Sequence, residues 1–355
     1  MKRFVLLFSL LTVLCVTGCA AIGPRTVVRD RFDYSSAIAD SWKDQMLLNM
    51  VKMRYGDAPV FLDVASVISQ YQVAGQLNSN FSWSFPPKGD SQGVGGVAQY
   101  VDRPTITYAP LSGEKFTRSL ITPIPPASLV TLIQAGYPID FVFRLCIHSI
   151  NGIRNKFGGA ARARSADPEF YPLLERMRRV QDAEGIGLRM KKVDQETAVV
   201  MIFRQKVDPA IEADILANRK MLGLDPQAQE YRVVYGTVPS DDKEIAILTR
   251  SISEILVDLA SLIEVPEVHV TEKRVNQTIV EQTVSGTPVR PLIQIHSSHE
   301  KPADAFVTVR YRDYWFWIDD RDLPSKRMLT FIMIVFGLVE TGGKEGAPIV
   351  TIPAG

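Results

Sequence analysis

The chain reads as an α+β protein. Three observations predict this. Several segments carry apolar residues on a helical stripe, one long stretch alternates strictly with period two and doubles back on itself, and no fixed-period repeat or coiled-coil heptad runs through the rest. At 355 residues, with 46% hydrophobic and 22% charged side chains, the chain can bury one large or two ordinary globular cores.

Taken in order, the first helix is predicted over 35–55, where Ile38, Trp42, Met46, Leu47, Met50 and Val51 share one face and Gly56 and Pro59 stop the helix. Val60–Ser69 is apolar and rich in β-branched residues, and fits strand or helix. Tyr71, Val73, Gly75, Leu77, Phe81, Trp83 and Phe85 then alternate with Gln72, Ala74, Gln76, Asn78, Asn80, Ser82 and Ser84, which predicts a strand with one apolar face. Pro86, Pro87 and the glycines 89, 93, 95 and 96 make a turn. Val97–Tyr108 returns, so 70–109 reads as a long hairpin. Tyr71–Phe85 carries no Asp, Glu, Lys or Arg. Its apolar face therefore fits either a domain core or the lipid side of a membrane strand, which needs only about 9–11 residues. A single hairpin cannot close a barrel, so the second option requires a ring of subunits. Gln99, Asp102 and Arg103 interrupt the pattern on the return arm.

Helices are expected over 112–120, 128–135 and 139–157, around a corner of Pro123, Pro125 and Pro126. Residues 158–166 (Gly-Gly-Ala-Ala-Arg-Ala-Arg-Ser-Ala) read as a linker, and Asp167-Pro168 as the start of the next helix. Strands are expected over 198–203 and 230–237, with a helix over 209–222 between them. A helix is expected over 241–263, with Asp241 and Glu244 in a capping-box arrangement. The stretch 268–284 reads as extended, 292–296 and 306–318 as strands, and 328–339 as a core helix too short for a bilayer. The expected organisation is a leader over 1–18, a tether over 19–31, a first region over 32–157, the linker 158–166, and an α+β region over 167–355.

No stretch names a reaction. Gly-x-Ser-x-Gly, His-Glu-x-x-His and phosphate-loop motifs are missing from the sequence. His296-Ser-Ser-His299-Glu300 has two of the three ligands a zinc enzyme needs and reads as a polar loop. Cys146 and His148, two apart on a helix, face different ways. Asp319, Asp320 and Asp322 precede a helix and read as caps. The Tyr311-Arg-Asp-Tyr314-Trp315-Phe316-Trp317 run reads as a strand buried on both sides; Tyr311, Tyr314, Trp315 and Trp317 are equally candidates for a partner interface. Neither metal nor cofactor is expected. Lys plus Arg number 40 against 39 acidic residues. That balance argues against general polyanion binding, nucleic acid included. One local excess stands out, with eleven basic against five acidic residues from Arg144 to Lys192. It reads as a solvated face or as a contact for anionic headgroups.

The N-terminus is the most specific part. Lys2 and Arg3 precede an apolar run to Val16, too short to span a bilayer, and Gly18 sits before Cys19. Val16-Thr17-Gly18-Cys19 resembles the lipobox of bacterial lipoproteins. The resemblance implies cleavage before Cys19, acylation of that residue and, with Ala20 following it, delivery to the outer membrane with the body facing the periplasm. Cys15 would leave with the leader, so Cys146 alone cannot form an internal disulfide. Asp102-Arg-Pro-Thr-Ile-Thr-Tyr-Ala-Pro-Leu111, Tyr235-Gly-Thr-Val-Pro239 and Tyr311–Arg321 are similar to a family of proteobacterial envelope lipoproteins, a resemblance that carries no activity, ligand or catalytic residue with it. The expectation is a membrane-anchored, non-enzymatic interaction or assembly subunit with an envelope protein partner or copies of itself. The alternatives are an oligomeric pore or export component inserting the 70–109 hairpin, and an envelope hydrolase.

Overall fold

A computed structural model describes residues 22–68, 71–82, 91–102, 105–159, 163–193, 196–204, 207–278, 283–284, 287–288 and 290–340. The fold is α+β, with helices and both antiparallel and mixed sheets. Val60–Ser112 forms one compact unit and the rest of the chain another. The division therefore falls around the hairpin, and 158–166 lies inside the larger unit.

Helix α1 runs Ile22–Arg54, so the expected tether is helical from Ile22 onward. Pro24 falls in the first turn, where its missing N–H costs nothing. Gly56, at φ +78°, ends the helix in the left-handed conformation. Residues Arg31–Asp40 are exposed or half-exposed, whereas Met46, Leu47, Met50 and Val51 are fully buried. The C-terminal half of α1 is thus a core element. Trp42 meets Phe336 edge-on at 5.8 Å.

The small unit is a ribbon. Strand β1 (Leu62–Ile68) pairs with β4 (Thr105–Pro110), and β2 (Tyr71–Ser82) with β3 (Ser91–Asp102), all antiparallel. The pairs Ile68↔Thr105 and Tyr71↔Asp102 are three residues apart on both arms, so the two ladders share one register. Gly93, Gly95 and Gly96, expected in the turn, lie within β3. A bulge between Val64 and Ser66 breaks the ladder near its base.

The larger unit is built on a six-stranded sheet of order β6-β5-β10-β9-β8-β7. Its strands are β5 (Ile147–Ile150), β6 (Ile153–Arg154), β7 (Ile186–Val193), β8 (Glu196–Phe203), β9 (Glu230–Tyr235) and β10 (Glu244–Thr249). All neighbours are antiparallel except β9 and β10, which run parallel. Helices α2 (Gly113–Phe116, continued by a π turn Thr117–Ile121), α3 (Pro126–Gln134), α4 (Ile139–Cys146), α5 (Phe170–Asp182), α6 (Pro209–Leu222) and α7 (Ile252–Ala260) accompany it. Then come α8 (Glu267–Thr271), the short pair β11 (Thr283–Val284) and β12 (Thr287–Pro288), a three-stranded sheet β13-β15-β14 and α9 (Leu323–Glu340). The last sheet consists of β13 (His296–Ser298), β14 (Ala305–Tyr311) and β15 (Tyr314–Asp319). No helix among the described residues is long and apolar enough to cross a membrane.

Five expectations are corrected here. The helix expected over 241–263 is strand β10 followed by α7, because the Glu244–Thr249 run is a strand buried between two neighbours. A continuous apolar run satisfies a helix stripe and a two-sided strand equally. The capping box is Ser251 with Glu254, not Asp241 with Glu244. The helix expected over 139–157 stops at Cys146 and turns into β5, whose β-branched ends pair with β10. The segment expected to be extended from 268 begins instead as helix α8, and the strand expected over 292–296 starts only at His296.

Candidate functional site

A cleft of about 600 Å³ opens where the parallel strands β9 and β10 end. Ligands commonly bind beyond the carboxyl ends of parallel strands, where the backbone fans apart. Tyr235, Thr237 and Val238 reach the cleft from the end of β9, and Leu248 and Thr249 from the end of β10. His148 and Ser149 come from β5, Glu254 from the first turn of α7, and Arg154, Phe157 and Arg164 from the loop beyond β5.

Chain geometry sets each of these groups. The β9–β10 connection is only Gly236–Lys243, short for a parallel return, and Glu244 pins it. This buried carboxylate accepts from the Ser240 N–H at 2.8 Å and pairs with Arg232, and those two contacts hold its pKa below the usual carboxylate range. Glu254 is held by three donors: His148 Nε2 at 3.1 Å, the Ser251 N–H at 2.9 Å and the Ser251 hydroxyl at 3.1 Å. The hydrogen bond from His148, ahead of the burial that opposes it, brings the Glu254 carboxyl down to about 2. Glu254 is therefore ionised and its oxygens are engaged. Ser251 donates to Glu254 rather than to His148, so this trio lacks the nucleophile-to-base hydrogen bond of a catalytic triad.

Beneath the cleft lies a buried ion pair. Arg250 and Asp258 have fully buried side chains 3.0 Å apart. Arg250 also donates to the carbonyls of Leu145, at 3.2 Å, and Lys156. Asp258 accepts from the Gly158 N–H at 2.5 Å. This network ties the start of α7 to the 156–158 segment and sets the Phe157 ring 5.6 Å from the Arg250 guanidinium. Phe157 in turn stands 5.5 Å from the His148 ring. The described ends of the supposed linker are packed: Phe157 bridges to Arg164, and Gly158 is set so closely that a Cβ would lie 2.0 Å from Ser261 Oγ.

Arg164 donates to the backbone oxygen of Asn155, at 3.2 Å from Nε and 3.0 Å from Nη2. Burial first, and then repulsion from Arg154, push its guanidinium below the usual arginine value. Arg154 meets Asp167 only loosely, at 3.8 Å. The basic excess of 144–192 thus divides. Arg178 and Arg179 are paired with Asp182 and Asp214 at 2.8 Å, while Arg154 and Arg164 line the cleft. Arg162 lies outside the described residues.

The sequence-derived candidates fall elsewhere. Cys19, Val16, Thr17 and Gly18 lie outside the described residues, as do Trp83 and Phe85. Tyr71, Val73, Leu77 and Phe81 are on one face of β2, and the register adds Val94, Ala98 and Tyr100 of β3 to that face. Gln99 pairs with Ala74 on the opposite, polar face, so it does not interrupt the pattern. Tyr311, Tyr314, Trp315 and Trp317 are half-buried and have partners within the chain. Tyr311 stands 5.4 Å from Tyr55, and Tyr314 stands 5.0 Å from His269 and 4.0 Å from His299. Trp315 lies under Lys301 at 5.3 Å, and Trp317 lies 4.9 Å from His296. The expected two-sided burial of this run is partial, since only Phe316 and Ile318 are fully buried.

His296 pairs with Glu264 at 2.9 Å, away from His299. Among the described residues no group of three His, Cys, Asp or Glu is placed to hold a metal. Cys146 is fully buried, and that burial pushes its thiol up to about 12. Asp322 binds Arg290 and the Ser325 hydroxyl and caps α9. Sequence reasoning missed Arg250, Asp258 and Glu254, and held Arg164 only as part of the basic excess of 144–192. The Ser251-x-x-Glu254 capping box was a further local signal for this corner. No family model, curated protein or solved structure matches the chain.

Proposed function

We propose that the mature chain is an outer-membrane lipoprotein, acylated at Cys19, that serves as a non-enzymatic assembly subunit and joins its neighbours through the 62–110 hairpin. One observation carries this reading: β2 and β3 are 12-residue strands that, among the described residues, pair only with each other. An isolated two-stranded sheet about 40 Å long is marginal in water and offers two open edges to another chain. The lipobox supplies the anchor, and α1, starting at Ile22, supplies about 50 Å of helix directly after it.

A second reading is favoured by the hairpin's chemistry. Neither Tyr71–Ser82 nor Ser91–Val101 contains a charged residue, and the register gathers Tyr71, Val73, Leu77, Phe81, Val94, Ala98 and Tyr100 on one face. That is the pattern of a membrane strand pair with a lipid side and a lumen side, so the assembly would be a ring that inserts its hairpins in the outer membrane.

Single cysteines at the exposed Gln76 and Gln99, treated in intact envelopes with a short bifunctional maleimide, test the assembly reading. Cys146 is too deeply buried to react, so the background is clean. Covalent oligomers or a defined partner adduct are expected; monomer alone at both positions would overturn the reading. Cys19→Ala should release the protein from membranes. Its retention would transfer the anchoring role to the hairpin.

A further inference from the structure

We propose that the cleft at the ends of β9 and β10 binds a small organic carboxylate with an apolar body, its carboxylate held by Arg154 and Arg164. The inference goes beyond the assembly role and does not depend on the hairpin.

The cleft's volume, about 600 Å³, lies within the range of small-molecule sites, roughly 300–1,000 Å³. Its lining is apolar through Pro123, Phe157, Val238 and Leu248, and cationic through Arg154 and Arg164. Arg164's hydrogen bonds among the described residues go to backbone carbonyls rather than to a carboxylate. Among the described residues the Arg154 guanidinium makes a loose contact with Asp167, at 3.8 Å. Both guanidinium groups line the same cleft, and the guanidinium is the cation best suited to a planar carboxylate.

The choice of carboxylate over phosphate rests on two features. Phosphate sites commonly use the free N–H groups of a helix N-terminus, but here Ser251 and Glu254 occupy that end of α7 through the capping box. Glu254 also places a carboxylate in the cleft, hydrogen-bonded to His148, and a dianion would meet it less favourably than a monoanion. The apolar walls then need an apolar group to cover them.

Ligand-observed NMR on the full-length chain in detergent tests this, with 3-(4-fluorophenyl)propionate as the probe against its methyl ester and inorganic phosphate. The acid should bind, and the ester about tenfold more weakly. Arg154→Ala and Arg164→Ala should each weaken the acid by about tenfold or more, the range for a lost hydrogen bond to a charged group. Val238→Asp, at a residue 76% exposed, should also weaken it, because it adds a carboxylate at the mouth without disturbing the core. Arg179→Ala, whose partner is Asp214, should change nothing. Equal binding of acid and ester, displacement of the probe by equimolar phosphate, or an equal loss in the Arg179 variant would each overturn the assignment.

Discussion

Removing the carboxylate of Asp258 tests the buried network under the cleft most directly. Asp258 and Arg250 are both fully buried, so Asp258→Ala leaves a guanidinium charge without its counter-ion in a water-free site. Losing one partner of such a pair typically costs about 3–5 kcal/mol. The Gly158 N–H, 2.5 Å from Asp258 Oδ1, is orphaned as well, which places the variant toward the upper end of that range. Against a total stability of about 5–15 kcal/mol, the loss should lower the thermal midpoint of the larger unit by roughly 10 °C. Two compact units make a single global midpoint ambiguous. Hydrogen exchange of the 156–158 amides and of α7 is therefore the better assay, and both should lose protection together. The double variant Arg250→Met with Asp258→Leu removes both charges. It should recover part of the loss, but not all of it, because the Leu145 and Lys156 carbonyls also lose a donor. A cost below about 1 kcal/mol for Asp258→Ala, or strict additivity in the double variant, would refute the claim that these charges depend on each other inside the core.

Two further outcomes follow from the same corner. Glu254 has a folded-state pKa of about 2 against an ordinary 4.5. It thus contributes stability that is complete above about pH 4.5 and is lost as the pH falls through 2. The side chain is 43% exposed, so solvent screening reduces that contribution to on the order of 1 kcal/mol; Glu254→Gln should flatten the acid limb of a denaturation series between those values. Gly158→Ala should cost about 1–3 kcal/mol, because the added methyl meets Ser261 Oγ at 2.0 Å and Cβ at 2.7 Å. Ser261→Gly in the same chain should restore most of it, as read by urea midpoints.

Helix α6 was legible almost to the residue, since Asp208, Pro209 and Gly223 supply an N-cap, a first-turn proline and a left-handed C-terminus. The hairpin was legible from its period of two, although its glycines were mistaken for turn residues because nothing local distinguishes a glycine in a ladder from one in a loop. The β10–α7 corner was not legible. Ile245, Ala246, Ile247 and Leu248 fit a helix stripe, and only pairing with β5 and β9, about 100 and 10 residues away, makes them a strand. The cleft was hidden for the same reason. Its charged groups come from 148, 154, 164 and 254, a separation that exceeds any spacing motif, and each looks ordinary alone.

The register of the hairpin makes its two faces separable by experiment. Tyr71, Val73, Leu77 and Phe81 lie opposite Asp102, Tyr100, Gly96 and Gln92, whereas Gln72, Gln76, Asn78 and Asn80 lie opposite Val101, Val97, Gly95 and Gly93. Cross-strand partners share a face, so one face carries Tyr71, Val73, Leu77, Phe81, Val94, Ala98 and Tyr100 with Asp102 at its base, and the other carries Gln72, Gln76, Asn78, Asn80 and Gln99 with Val97 and Val101 among them and no charge. The same alternation continues below through Val67 and Ile106 until the bulge at Val64/Ser66, where a ladder bends and its faces rotate. If neighbours or lipid cover the apolar face, a charge placed there must be desolvated. Lysine on the lipid side of a membrane strand costs about 2–4 kcal/mol near the midplane. Leu77→Lys and Ala98→Lys should therefore abolish crosslinked assembly in envelopes, while Gln76→Lys and Gln99→Lys, one residue away on the same strands, should leave it intact. Equal tolerance on both faces would mean that nothing covers the hairpin, and the assembly reading would fall with it. Equal damage on both faces would place β2 and β3 between two layers, which suits a protein interface and excludes an inserted ring with a water-filled lumen.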